Sequence, residues 1–422
     1  MHNHFRSLMI LMFMICAQQV FPDSAASCTA AFRHKDGGIV TISKFDLGDG
    51  QPRLVFVDFR TGYIRILTQA ADEFVAGPTL LSDAPVELHT RCMKDELDWK
   101  ISNNPPDQAR RISIREEQVQ FSSSEIRLSG TLYLPDGPSP HSTIVLLHGS
   151  GPLTRYSFGP IPYFFAASGV AVLIYDKRGT GQSTGKFDDA TLDDLANDGA
   201  AAIAYLKTRK DVDPNRIGLW GSSQGGFLAA AVAARTTGLR FLMNHSGMYV
   251  PVWQQEIYRT KSEMQAEGYS EKEIATALDY LNEFFGVARS GKNWETLEKK
   301  KTEIKDKKWF DLVAKADDLK TLRWYWETLY SYDPEKPLEK VKCPVLAVFG
   351  GLDKSTPVPE SITNMKRALA KAGNSNFEYR IFSNADHGML EAKTGADTEI
   401  PNLTQLVAEA FELQRQWILA NK

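Results

Sequence analysis

Cysteine, histidine and excess charge are all scarce in this chain of 422 residues. It contains four cysteines and eight histidines, with no CxxC pair and no Cys/His spacing that would close a tetrahedral zinc site. Lysine and arginine number 49 against 52 aspartates and glutamates, whereas proteins that bind nucleic acid or anionic membranes concentrate cations on one surface. We therefore expect no structural metal and no nucleic-acid partner.

Long hydrophobic runs are also missing, and the most apolar stretch is residues 8–16. This run is too short to cross a bilayer, which takes about 20 residues. Arg6 precedes it and small residues at 24–26 follow it, which is the pattern of a secretory signal peptide at residues 1–26. We expect cleavage, export to the periplasm or the medium, and no stable membrane insertion. A buried N-terminal helix and lipoprotein attachment through Cys28 are the weaker alternatives.

Export changes the interpretation of the cysteines. In an oxidising compartment Cys28 and Cys92 can form a disulfide, although their spacing alone does not decide the geometry. Cys343 stands in an apolar strand pattern, so we expect a buried free thiol there.

The first part of the chain has a pattern typical of β-structure. Residues 27–112 contain short alternating segments such as GIVTISKF, separated by turn sequences such as DGG and GDGQP, which predicts a small β-rich domain. The segment NNPPDQ at 103–108 predicts a linker, because adjacent prolines continue neither a strand nor a helix.

The pattern changes over residues 113–422. Short solid apolar runs such as TIVLL and PVLAVF alternate with helical segments, which predicts a parallel sheet with helical crossovers. The β pattern disappears at about 250–337, where we expect a helical cap, with Ser270 and Glu273 as a capping box. The cap's tryptophans either wall an apolar substrate pocket or form the core of the cap itself. They are Trp253, Trp294, Trp309, Trp324 and Trp326.

The strongest local motif is GSSQG, at residues 221–225, between the strand RIGLW and the small-residue helix GGFLAAAVAAR. It matches G-x-S-x-G in a strand–turn–helix context, in which a sharp turn exposes a serine hydroxyl and the flanking glycines avoid collisions. Ser223 is therefore the candidate nucleophile, and Ser222 occupies the variable position.

A serine nucleophile requires a histidine base and an orienting carboxylate. Only His245 and His387 follow Ser223. His245 directly ends a strand with no aspartate between it and Ser223, so we expect it in the core or in contact with the cap. His387, in NADHGM after the strand FEYRIF, is the predicted base. Asp353, directly after the strand PVLAVFGG, is the predicted acid, whereas Asp386 is adjacent to His387 and poorly placed to reach its ring.

The transition state of acyl transfer also needs donors for a negatively charged oxygen. The loop HGSGP follows the strand TIVLL, and we assign the two donors to the backbone N–H groups of Gln224 and Ser150, with Gly151 as the next candidate. His148 is expected to support this loop. Asp176 and Arg178, in DKRGTG, are expected to pair with each other and brace it.

Together these motifs resemble the α/β-hydrolase family over residues 115–422. The resemblance rests on HGSGP at 148, DKRGTGQS at 176, GSSQGG at 221, GGLD at 350 and ADHG at 385, all in family order. It implies a mostly parallel eight-stranded sheet and acyl transfer through an acyl-serine intermediate. The β-rich domain and the cap insert resemble those of bacterial carboxylesterases with an N-terminal extension.

The predicted function is a serine carboxylic-ester hydrolase that acts on a small-molecule ester and needs no cofactor. Peptidase, amidase or acyl thioesterase chemistry on the same triad is the alternative. A peptidase of the prolyl-oligopeptidase type ranks lower, because residues 28–112 are too few for an N-terminal propeller. A protein that keeps the fold without catalysis ranks last. The sequence does not indicate the oligomeric state.

Overall fold

The computed structural model describes residues 28–422. The predicted signal peptide, residues 1–26, lies outside the described residues. Among the residues that are described, no helix is long and apolar enough to cross a bilayer.

The first eight strands form a closed antiparallel barrel, which confirms the predicted β-rich domain. Each strand pairs with the next, and β1 pairs with β8 to close the barrel, so that no strand edge remains unpaired. Alternate side chains such as Phe32, Ile42, Phe56 and Leu97 fill its interior. The strands are β1 (Ala30–His34), β2 (Ile39–Phe45), β3 (Arg53–Asp58), β4 (Tyr63–Ala70), β5 (Glu73–Ala76), β6 (Leu88–Cys92), β7 (Glu96–Ile101) and β8 (Asp107–Arg111).

The predicted linker at 103–108 is wrong. Residues 102–106 form the turn between β7 and β8, and Asp107 is already the first residue of β8. The two prolines fit this turn because a hairpin loop does not need their missing N–H groups. The chain instead leaves the barrel after Arg111 and enters the next sheet at Ile114.

Two of the cysteines form the expected disulfide, and a third is free, as expected. A disulfide joins Cys28, just before β1, to Cys92 at the end of β6, with the two Cα atoms 5.6 Å apart. Cys343 is free, but it is only partly buried, because it precedes the strand that begins at Val345. Burial raises the pKa of its thiol to about 11.

The second sheet has eight strands in the order β16-β15-β14-β13-β11-β12-β10-β9. All neighbours from β16 to β12 are parallel, and β10 and β9 add an antiparallel edge, which is the topology of the α/β-hydrolase fold. The strands are β9 (Ile114–Ser123), β10 (Ile126–Pro135), β11 (His141–Leu147), β12 (Ala171–Tyr175), β13 (Val212–Ser222), β14 (Leu242–His245), β15 (Val345–Gly350) and β16 (Phe377–Phe382).

Helices cover both faces of this sheet, as solid apolar strands require. One face packs against α2 (Leu192–Lys207), α3 (Gln224–Arg235) and α9 (Val358–Lys371). The other face packs against α1 (Ile161–Ala167), α10 (Ala408–Asn421) and part of the barrel. At the barrel contact, the ring of Phe59 stacks on that of Phe164 with centroids 4.1 Å apart.

A helical cap is inserted between β14 and β15, as predicted. The predicted capping box is confirmed, because Ser270 and Glu273 bond to each other's backbone N–H groups at the start of the second cap helix. The cap helices are α4 (Val252–Ala266), α5 (Glu271–Ser290), α6 (Trp294–Ile304), α7 (Leu319–Tyr325), which continues as one π-helical turn (Trp326–Tyr330), and α8 (Glu335–Leu338).

The cap tryptophans contribute mainly to a core of the cap's own. Trp309 is 1% exposed at the centre of this core, and Trp253, Trp294 and Trp326 pack against it. Trp324 is not part of this cluster and packs at a tilt against the ring of Tyr325, with centroids 5.3 Å apart. Of the two interpretations of these side chains, the structure favours the cap core.

Candidate active site

The predicted site residues lie at one edge of the sheet. β13, β14, β15 and β16 run parallel, so their carboxyl ends meet at the same edge. Ser223 follows β13, Asp353 follows β15 and His387 follows β16. Three segments that are distant in sequence therefore begin at one edge of the sheet.

Ser223 occupies a sharp turn between β13 and α3. Its backbone has a φ of 53° and a ψ of -118°, a left-handed conformation that costs a non-glycine residue about 1–3 kcal/mol. A Cβ on Gly221 would collide with the backbone of Gly225, and a Cβ on Gly225 would collide with the carbonyl oxygen of Leu147. The glycines of the motif are thus required by close backbone contact. The serine N–H donates to the carbonyl of His245 at 2.9 Å, which ties the turn to β14.

His387 and Asp353 form a hydrogen-bonded pair. Nδ1 of His387 lies 2.8 Å from Oδ2 of Asp353, whose side chain is fully buried. The other carboxylate oxygen, Oδ1, accepts the backbone N–H groups of Ser355 and Thr356, both at 2.8 Å. Both oxygens are thus bonded, so the carboxylate has one orientation and holds the imidazole in one ring position.

The second ring nitrogen of His387 has no hydrogen-bond partner within residues 28–422. The His387 side chain is 20% exposed, and its Nε2 atom is itself buried and unpaired among the described residues. Burial lowers the pKa of His387, but the charge and hydrogen bond of Asp353 and the charges of Asp386 and Asp397 outweigh it and raise the pKa to about 9. The carboxylates therefore stabilise the imidazolium that forms when Nε2 accepts a proton.

Asp386 supports the histidine loop and does not contact the ring. Its Oδ1 accepts the backbone N–H groups of Gly388 and Leu390, each at 2.8 Å, so it closes the turn that carries His387. Burial raises the pKa of Asp386 to about 6.

The predicted oxyanion loop lies beside the serine. A Cβ on Gly149 would be 3.7 Å from the Cβ of Ser223. No hydrogen bond within residues 28–422 uses the backbone N–H groups of Ser150, Gly151 or Gln224. All three candidate donors are therefore without a hydrogen-bond partner among these residues.

Two other histidines near the site are core residues. Burial, with the nearby charge of Lys177, lowers the pKa of His148 well below its ordinary value, and its ring packs against Phe158 with centroids 4.4 Å apart. Burial likewise lowers the pKa of His245 to about 4, and its Nδ1 lies 3.3 Å from Oε1 of Gln414. Both imidazoles are neutral at neutral pH, as expected for structural residues.

The predicted pair between Asp176 and Arg178 is wrong. Asp176 accepts the backbone N–H, Nε and Nη2 groups of Arg155 at 2.8–3.1 Å. Arg178 binds Asp198 on α2 at 2.7 and 2.8 Å. Each of the two residues thus pairs with a side chain from another segment of the chain, because the packing brings those charges within reach.

Lys177, between Asp176 and Arg178, contacts the predicted oxyanion loop and Gln224. Lys177 is 3% exposed, and its Nζ donates to the carbonyl oxygens of Gly149 and Gly151 and to Oε1 of Gln224. Sequence reasoning missed this lysine, although it lies two residues after the end of β12, at the edge of the sheet where Ser223 follows β13.

The cap reaches the site through α4. The hydroxyl of Tyr258 donates to the carbonyl of Asp353 at 3.3 Å, and the side-chain amide of Gln255 donates to the carbonyl of Ser355 at 2.8 Å. One turn further, Glu263 accepts the backbone N–H of Asp397 at 2.8 Å. Burial and the charge of Glu263 raise the pKa of Asp397 to about 8. The cap thus rests on both the acid loop and the segment after His387.

Comparison with known proteins assigns the family. The sequence profile of the X-Pro dipeptidyl-peptidase family, S15, matches residues 76–389, which is more than half of the chain. The chain belongs to the S15 family. This S15 protein is therefore a member of a hydrolase family with an α/β-hydrolase fold, as the motifs indicated.

The individual relatives of this S15 protein match it over only part of their length or at low sequence identity. The quorum-quenching protein AidA of Acinetobacter baumannii is 37% identical over 119 residues, 28% of this chain and 38% of the relative. Esterase EstD of Thermotoga maritima is 26% identical over 276 residues, 63% of this chain and 59% of the relative. Both alignments span less than two thirds of the relative's own length. The solved structure of an esterase from Pyrococcus furiosus superimposes with a TM-score of 0.46 at 18% identity, covering 73% of this chain and 91% of that one.

Proposed function

We propose that this S15-family hydrolase cleaves carboxylic esters through an acyl-serine intermediate, with Ser223, His387 and Asp353 as its catalytic triad. The observation that carries the proposal is the 2.8 Å bond between His387 and the buried Asp353, at the same edge of the sheet as the strained turn of Ser223. A merely structural histidine would have no need of an orienting carboxylate and a free Nε2.

In this mechanism, the Ser223 hydroxyl attacks the ester carbonyl while Nε2 of His387 accepts its proton. Asp353 keeps the Nδ1 proton in place and stabilises the imidazolium. The N–H groups of Gln224 and Ser150, or Gly151, bind the oxyanion of the tetrahedral intermediate. His387 then protonates the leaving alcohol. Water, activated by the same histidine, releases the acid and restores the serine.

A peptidase is the second candidate, because the matching family is one of X-Pro dipeptidyl-peptidases. The same triad cleaves amides when the leaving amine is protonated by the histidine. The lower rank that we gave to peptidases rested on the absence of a propeller, and an S15 match does not depend on one.

The first test is hydrolysis of p-nitrophenyl esters from acetate to palmitate, beside Xaa-Pro p-nitroanilides, by the wild type and Ser223→Ala. We expect ester turnover in the wild type and a loss of about 10⁴-fold or more in the variant. Ser222→Ala is the matched control, and we expect its activity to stay within about tenfold of the wild type.

Two results would contradict this assignment. Full activity in Ser223→Ala would exclude Ser223 as the nucleophile. Turnover of the anilides but not of the esters, lost in Ser223→Ala, would retain the triad and assign a peptidase instead.

A further inference from the structure

The side chain of Lys177 touches both halves of the predicted oxyanion site. Its Nζ lies 2.5 Å from the carbonyl oxygen of Gly149 and 3.0 Å from that of Gly151, both in the loop after β11. The same atom lies 3.1 Å from Oε1 of Gln224, the residue after the nucleophile. One ammonium group therefore joins two segments that are 73 positions apart, at Gly151 and Gln224.

The contact with Gly149 acts on a candidate donor directly. The peptide unit that carries the Gly149 carbonyl also carries the N–H of Ser150. Because a trans peptide is planar, its C=O and N–H point in opposite directions. When Lys177 binds the carbonyl from one side, the N–H of Ser150 is directed to the other. The positive charge also polarises this unit, which strengthens the N–H as a donor.

The contact with Gln224 fixes the other donor. Gln224 is 5% exposed, and its backbone N–H is the second predicted donor to the oxyanion. Lys177 holds its side chain, so the first residue of α3 and the Gly149 loop keep a constant separation. An oxyanion hole depends on this separation, because both N–H groups must reach one oxygen.

The number of contacts suits an ammonium. A protonated lysine has three N–H donors, and three oxygens surround Nζ. A neutral amine has two, so one of the three oxygens would lose its donor. Burial lowers the pKa of Lys177 to about 7, and the three oxygens replace only part of the water that the charge loses.

We propose that Lys177 is a positioning residue that holds the Ser150 and Gln224 N–H groups in the geometry that binds the oxyanion. It acts through these backbone groups and does not contact the substrate. This inference rests on the proposed serine-hydrolase function and extends it to a residue outside the triad.

The test compares Lys177→Met with Lys186→Met, an exposed lysine in the same loop region. We expect Lys177→Met to lower kcat about 10²-fold with little change in KM, because the contacts are used in the transition state. Lys186→Met should match the wild type. Lys177→Arg, which keeps a cation, should recover part of the loss.

A second readout separates positioning from general structural support. A trifluoromethyl ketone that forms a hemiketal with Ser223 places an oxyanion in the hole, so Lys177→Met should weaken its inhibition about 10²-fold. In the Ser223→Ala background no hemiketal forms, and Lys177→Met should leave binding of the ketone unchanged. Equal weakening in both backgrounds would overturn the proposal in favour of a structural role.

A pH series adds a third readout. The ratio of kcat in the wild type to kcat in Lys177→Met should fall as the pH rises above about 7, because the lysine loses its third donor. Titration of His387 is common to both proteins and cancels in the ratio. The titratable groups that line a small cavity with Lys177 are His148, Tyr175 and Asp198, of which Asp198 is paired with Arg178. A ratio that does not change with pH would contradict a role for the charged form.

Gln224→Met covers the case in which Lys177→Met does not fold. This substitution removes Oε1 of Gln224, one of the three oxygens around Nζ of Lys177, and leaves the backbone N–H of residue 224 in place. We expect kcat to fall about tenfold. Wild-type kcat in a folded Lys177→Met or in Gln224→Met would overturn the role of Lys177. Full activity in Ser223→Ala would instead overturn the serine mechanism itself, so the two failures are distinguishable.

Discussion

At the residue scale, two buried aspartates beside His387 have different tasks. Asp353 binds the imidazole at 2.8 Å, whereas Asp386 accepts two backbone N–H groups of the histidine turn. Sequence reasoning chose between them by position, because a residue adjacent to the histidine cannot easily reach its ring. The structure shows the same division through their hydrogen bonds.

The same substitution at both positions tests this division. In Asp353→Asn, the amide oxygen or nitrogen faces Nδ1 without a negative charge, so the ring loses its preferred tautomer, and we expect kcat to fall by about 10⁴-fold. In Asp386→Asn, the amide oxygen still accepts the two N–H groups, and we expect a change of less than about tenfold. Steady-state kinetics on the best ester substrate measures both. A larger loss in Asp386→Asn than in Asp353→Asn would reassign the acid.

At the element scale, the turn between β3 and β4 contacts the segment around Leu406, which in turn pairs with the loop that carries His387. The carbonyl of Gly62 in this turn accepts the N–H of Leu406 at 2.7 Å, and the segment around Leu406 pairs in turn with Leu390 and Met389, close to His387. Buried Arg65, in β4, donates to the carbonyl of Thr404 at 2.7 Å. The barrel therefore takes part in positioning the site.

Gly62→Ala should disturb this contact. Gly62 has a φ of +80°, and an added Cβ would collide with the carbonyl oxygen of Leu406. We expect a loss of about 3 kcal/mol in the free energy of unfolding, and a kcat about tenfold lower because His387 is displaced. Gly37→Ala is the control, since Gly37 has a φ of +92° in a barrel turn but no atom within 4 Å of its Cβ position. It should lose only about 1 kcal/mol, from backbone strain.

Urea unfolding and steady-state kinetics of the two alanine variants provide the measurements. Similar losses of stability and similar kcat values in both would show that backbone strain alone matters and that the barrel does not support the histidine loop.

At the scale of the whole molecule, the disulfide and the predicted signal peptide both concern the compartment in which the protein works. The Cys28–Cys92 bond closes the barrel strands β1 to β6 into one loop and is typical of an oxidising compartment. We propose that the protein is exported and loses residues 1–26. The disulfide supports this proposal.

Mass spectrometry of the protein expressed with its full N-terminus tests export. We expect a mature chain that begins at Ser27. Alkylation of the unfolded protein should modify one cysteine, Cys343, before reduction and three after it. A chain that retains Met1, or three reactive cysteines before reduction, would contradict export into an oxidising compartment.

The sequence by itself determined the features that depend on neighbouring residues. Local backbone geometry sets the sharp turn at Ser223 and the capping box at Ser270, and burial of short segments sets the solid apolar strands. The structure has each of them. The order of the motifs along the chain was enough to choose His387 and Asp353, because parallel strands bring their carboxyl ends to one edge.

Only the tertiary structure decided which distant groups meet. The proline pair at residues 105 and 106 lies in a hairpin turn, because closure of the barrel requires β8 beyond it. Asp176 pairs with Arg155, and Lys177 bridges two loops, because buried charges bind whatever partners the packing brings within reach. These contacts join residues tens of positions apart, and no local pattern records the distance between them in space.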